Sequence, residues 1–268
     1  MALREDIIYR YDGTPDGMLT CIFEAFARRE APAAILSPDD AQASLFEMIA
    51  IQTDTSKAAR VLAGLRRTAG YEAADLVQLA HLTCLPDKEL HALAFTRLAM
   101  KTGPAACDML TDHRVNIINK AVRNLQIEAH HLCGFVRFIE IEGTLVSLIN
   151  PKNTVLPLLD AHFSDRFPCE RFIIYDRTHR TALMHLPGES RIVPLNELKI
   201  PAISEKELDI QRMWRRFHET IAIEGRLNKN LQRNLMPLRF RPNMTEFQPE
   251  APDITIRTDH PTRGVLTE

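Results

Sequence analysis

The sequence is poor in the features that fix a metal, a membrane or a disulfide scaffold. Its five cysteines (Cys21, Cys84, Cys107, Cys133 and Cys169) are scattered over 268 residues without one C-x-x-C pair. An odd, unspaced set argues against a disulfide framework, a zinc ribbon or an iron–sulfur cluster held by this chain alone. These cysteines read instead as small side chains in a reducing cytoplasm. No apolar run reaches the roughly 18 residues that a membrane span needs. The opening segment MALREDIIYRYDG carries acids early and has no apolar stretch, so no secretory leader is expected. Net charge is nearly absent as well: 33 Lys and Arg face 35 Asp and Glu, giving −2. That excludes a polycation of the histone type and leaves room for a local basic patch. The P-loop, dinucleotide fingerprint, nucleophile elbow, H-E-x-x-H pair and zinc-deaminase pattern are all missing. No cofactor and no metal are expected.

What is present is the balance of a soluble globular protein, 45% hydrophobic and 25% charged. A short strand over 6–10 leads into the turn-rich run Asp12-Gly13-Thr14-Pro15-Asp16-Gly17. Leu19, Ile22, Phe23 and Phe26 then recur at helical spacing, with Asp16 placed as the N-cap. Pro32 and Pro38 mark a loop. Helical periodicity fills 54–103 and again 112–131, with Gly70 as a stop. Gly134 is expected at a break where helix gives way to strand. Two hairpins follow, one around Glu142-Gly143 and one pairing 171–176 with 181–185, with a short helix over 156–163 between them. A third strand is expected near 191–194. Helices return over 205–223 and 226–235, and Pro237 ends them. The expected class is α+β: a mostly helical N-terminal part (1–131), then an antiparallel hairpin–helix–hairpin sheet with basic helices (132–245). A polar, proline-bearing tail from 246 to 268 is read as disordered.

Three clusters could carry acid–base chemistry: Glu128 with His130 and His131, His162 near Arg166, and Asp176 with His179. A carboxylate that holds an imidazole is the arrangement that tunes a base or a metal ligand. The competing reading is structural: a helix-end imidazolium favoured by the dipole with a nearby ion pair, and otherwise single structural polar residues. Glu128, His130, His162 and Asp176 are retained as candidate catalytic residues.

Charge distribution points elsewhere. Between Arg212 and Arg241 eight basic residues face only Glu219 and Glu224, a local +6 within a chain of −2. Trp214 and Phe217 are interleaved with the first basic group, and Asn228, Gln232 and Asn234 with Arg226, Lys229 and Arg233. Arginines that fork around phosphates, amides that read base edges and an aromatic free to stack are what nucleic-acid binding uses. The other reading is a solvated helix face with Trp214 in the core. Arg137, Arg166, Trp214, Arg226, Asn228, Lys229, Gln232 and Arg233 are the candidate nucleic-acid contacts.

The order of motifs carries a resemblance. Tyr11-Asp12-Gly13-Thr14, Thr53-Asp54 with Lys57-Ala58, Glu128-Ala129-His130 running into Gly134–Phe138, His162-Phe163 with Arg166, Ile174-Tyr175-Asp176, Trp214, and Arg226-x-Asn228 running to Gln232 and Met236-Pro237 together look like a bacterial family assigned to DNA metabolism or repair. That family is defined by a domain of unknown function, and the resemblance spans about Tyr9 to Glu246. It implies DNA as a partner, together with a radical-SAM protein of the spore-photoproduct-lyase type. In some bacteria the domain is fused to a uracil-DNA-glycosylase-like one; this chain resembles the stand-alone form. The implied function is DNA repair or modification, with catalysis on a damaged base, or a protein-interaction scaffold, as alternatives.

Overall fold

The computed structural model describes residues 4–38, 40, 45–201, 203–223, 225 and 228–248. The fold is α+β, and the chain divides between Ala129 and His130 into two compact units. The segment Lys152–Val155 returns to the first unit.

In the first unit, β1 (Ile7–Arg10) lies between β2 (Ala34–Leu36) and β3 (Glu47–Ala50), and both pairings are parallel. The segment expected as a proline-marked loop therefore contains β2, and β3 was not expected. Around them pack α1 (Pro15–Ala27), α2 (Thr55–Ala69), α3 (Tyr71–His81) and α4 (Lys88–Thr102), followed by the start of α5 (His113–Phe135). Thr14, not Asp16, caps α1: its hydroxyl accepts from Gly17 N, and Pro15 takes the first helical position, where a missing N–H costs nothing. Gly17 is required by close approach, since a Cβ there would lie 2.2 Å from Asp12 Oδ1 and 2.7 Å from the Tyr11 ring. The core gathers Ile7, Tyr9, Met18, Ile22, Leu65 and Phe95, none more than 2% exposed.

Gly134 lies inside α5 rather than at a break, and the helix runs on to Phe135. The second unit then builds a five-stranded sheet from β4 (Ile139–Ile141), β5 (Thr144–Ile149), β6 (Phe172–Asp176), β7 (Thr181–Leu186) and β8 (Glu189–Pro194), in that order. Both expected hairpins are present, as is the third strand. The sheet is mixed rather than antiparallel. β5 pairs with β6 in parallel, Val146 opposite Ile173, because α6 (Leu156–Arg166) carries the chain back to the same end between them. α7 (Glu205–Thr220), capped by Ser204, and α8 (Lys229–Leu235), capped by Asn228, follow. Two 3₁₀ turns, Leu238–Asn243 and Thr245–Phe247, close the described chain. Glu246, expected to open the tail, has a side chain only 2% exposed; residues 249–268 lie outside the described residues. Among the described residues no helix is long and apolar enough to cross a membrane.

Candidate functional site

An open cleft of about 530 Å³ lies within the second unit. Its walls are apolar: Phe138, beyond the end of α5, with Phe163 and Phe167 from α6 and its end, and Ile210 and Trp214 from α7. The rings are ordered. Phe138 meets Phe163 and Phe167 edge-on at centroid distances of 5.5 and 5.4 Å, the geometry that aromatic quadrupoles favour. Phe163 is buried, Phe138 and Phe167 are half-buried, and Trp214 is 40% exposed. The alternative reading, with Trp214 in the core, is thus not met.

Two arginines stand at this cleft. The Arg137 guanidinium lies 5.8 Å from the Trp214 ring centroid and makes a forked ion pair with Glu246, at 2.7 and 3.2 Å. Trp214 Nε1–H donates to the same carboxylate at 3.2 Å. Burial alone would raise the Glu246 carboxyl; the hydrogen bonds from Arg137, the local backbone and Trp214 outweigh it and hold the group below the usual carboxylate range. Arg166 sits 5.7 Å from the Phe167 ring, exposed and without an ion pair among the described residues. Arg137 is therefore a neutralised, positioned cation, whereas Arg166 has no ion pair among the described residues.

Two polar side chains line the same cleft, Glu207 at 5% and Gln211 at 4% exposure. Gln211 Nε2 donates to Glu207 Oε1 at 3.0 Å, and the Glu140 backbone N–H donates to Oε2 at 3.3 Å. Ser204-x-x-Glu207 has the spacing of a capping box, and Ser204 does accept from Glu207 N. The glutamate side chain does not complete the box; it is turned inward. Residue reasoning missed this pair. The signal was there, as Glu207, Ile210, Gln211 and Trp214 follow i, i+3, i+4, i+7 on one stripe of α7.

The remaining candidates are distributed differently. Glu128, in the first unit, is 1% exposed and accepts from Lys152 N, Asn153 N and Asn153 Nδ2 at 3.0, 2.9 and 2.6 Å. Asn153 Oδ1 in turn accepts from Cys84 N, so Glu128 anchors the returning segment. Asp176 is fully buried at the β6–β7 turn, where it accepts from Thr178 N, His179 N and His179 Nδ1, the last at 2.6 Å. His130 and His162 are exposed, and neither lines the cleft. Among the described residues no group of three or more His, Cys, Asp or Glu could hold a metal, so His130, His162, Asp176 and His179 do not converge on one. Asn228 is the N-cap of α8, accepting from Asn230 N and Leu231 N. Lys229 and Arg233 are exposed on that helix and Gln232 is half-exposed; none lines the cleft. Arg226 lies outside the described residues. Of the nucleic-acid candidates, the cleft gathers Arg137, Arg166 and Trp214.

A second polar cluster is smaller. His185, 5% exposed, stacks on Phe172 at 4.6 Å, and its Nδ1 lies 2.8 Å from Ser190 Oγ and 3.2 Å from Ser164 Oγ. Ser164 donates to Asp160. The Nε2 is buried without a partner among the described residues. Stacked on Phe172 and held by two serine hydroxyls, the buried imidazole ties α6 to β7 and β8.

Residues 86–246, more than half of the chain and including every residue of the aromatic cleft, match the family described as a domain of unknown function, DUF4130. No curated protein matches the chain.

Proposed function

Starting from the chain's membership of the DUF4130 family, we propose that it is a nucleic-acid-binding protein of DNA repair or modification, working with a radical-SAM partner enzyme. The observation that carries the binding reading is the cleft itself: exposed Trp214 and half-buried Phe138 and Phe167 beside Arg166, which has no ion pair among the described residues. Stacking rings and a free cation at one opening are the means by which unpaired nucleotides are held, the base on a π-face and its phosphate on a guanidinium. Arg216, Lys229 and Arg233, all exposed, extend the positive character of the same unit. The partner reading draws on the family resemblance and on the apolar edge of α7, where Met213, Phe217 and Ile221 stand exposed at i, i+4 and i+8.

Binding is favoured over catalysis by one observation. The carboxylates best suited as general bases, Glu128 and Asp176, are each committed to three hydrogen bonds and buried. Fluorescence anisotropy of a labelled single-stranded oligonucleotide against salt tests the proposal. Neutralising about four phosphates predicts a log–log slope of about −3. A slope near zero, or no binding to single-stranded, mismatched or duplex DNA, overturns it.

A further inference from the structure

The acceptors in the cleft carry the reading one step further, resting on the nucleic-acid proposal above. Glu207 is a buried carboxylate with no cation paired to it among the described residues. Its bonds come from neutral donors, Gln211 Nε2 and Glu140 N. A buried charge held only by neutral groups leaves acceptor capacity that a ligand can fill. Because Gln211 spends its Nε2 on Glu207, its oxygen is left without a donor among the described residues, and it lines the same cleft. Two carboxylate oxygens and an amide oxygen therefore make an acceptor-rich surface beside stacking rings.

We propose that this cleft is a nucleobase pocket selective for guanine. Guanine presents N1–H and the 2-amino group side by side, a pair of donors that one carboxylate accepts together, whereas adenine and cytosine place an acceptor beside their amino group. Phe138, Phe167 and Trp214 supply faces for the ring, and Arg166 takes the adjoining phosphate. An aromatic-lined cleft with a carboxylate also suits a quaternary ammonium, but Arg166 against Phe167 puts like charge where that cation would sit.

The test is anisotropy of labelled dT 11-mers carrying one central guanine, hypoxanthine, adenine or cytosine, with the full chain. The guanine oligonucleotide binds about tenfold or more tighter than the adenine or cytosine one, and hypoxanthine, which lacks the 2-amino group, falls between. Glu207→Gln removes that preference, bringing the guanine oligonucleotide to the affinity of the adenine and cytosine ones. The wild-type base series stands alone if the variant does not fold. Equal affinity for all bases overturns the guanine assignment and leaves nucleic-acid binding intact, whereas no binding to any oligonucleotide overturns both. Saturable quenching of Trp214 by tetramethylammonium but not by guanosine monophosphate identifies a cation cage and also overturns the assignment.

Discussion

Arg137 and Trp214 lie 5.8 Å apart, guanidinium to ring centroid, and both are held by the one carboxylate of Glu246. Three segments distant in sequence, the end of α5, the middle of α7 and the last 3₁₀ turn, thereby meet at one wall of the cleft. Glu246→Gln leaves a part-buried guanidinium without its countercharge. The expected cost is about 2 to 3 kcal/mol in urea unfolding, together with a change in Trp214 emission. The carboxyl is held below its unfolded value, so its contribution is complete above about pH 4.3 and is lost as pH falls through the folded value. The variant should show a shallower acid limb than the wild type.

Glu128 and the aromatic cleft belong to different units, which separates stability from the proposed binding. Glu128→Gln presents an amide N–H₂ to a site built from three N–H donors, and the expected loss is about 2 kcal/mol. Oligonucleotide affinity at a temperature where the variant is folded should be unchanged. A large loss of affinity would contradict the structural role of this carboxylate.

His81 gives the first unit a pH signature. Burial, and then the nearby Lys88 charge, pushes its imidazole down to about 4, so it is neutral in the folded state at pH 5 to 6. The unfolded chain protonates near pH 6.5, so stability from this group is complete above that value and falls between pH 6.5 and 4, by up to about 3 kcal/mol. His81→Leu should flatten the denaturation midpoint over that window.

Arg166 and Trp214 should fail in different ways. Under the proposed binding mode, Arg166→Ala lowers affinity and makes the salt slope shallower by about 0.7. Trp214→Ala removes a stacking face, costing about 1 to 3 kcal/mol of binding at every salt concentration with the slope unchanged.

Local pattern made much of this fold legible and left its non-local parts hidden. The hairpins showed through β-branched runs on either side of Glu142-Gly143, and the strand near 191–194 showed similarly. β2 is only Ala34-Ile35-Leu36 between prolines, and its pairing is with a strand more than twenty residues away, so neither length nor turn chemistry announced it. The parallel β5–β6 pair was hidden for the same reason, since a crossover helix leaves no turn signal. In the site, the basic count drew attention to α7 and to Trp214 but passed over Glu207 and Gln211. Charge along a sequence does not say which stripe of the helix faces a cleft. Glu246 was misread because the prolines around it imply disorder, while its ion pair with Arg137 spans 109 positions. Asp176 with His179 was visible at i, i+3, although as a turn clamp and not as part of the cleft.

Trp214 is the single tryptophan of the chain and lines the cleft directly, so its emission reports on this site alone. Titrating the full protein with a guanine-bearing single-stranded oligonucleotide should quench that emission saturably, with a midpoint matching anisotropy and moving to higher concentration as salt rises. Emission that stays constant while the oligonucleotide binds, or an oligonucleotide that never binds, would contradict the placement of nucleic acid in the cleft.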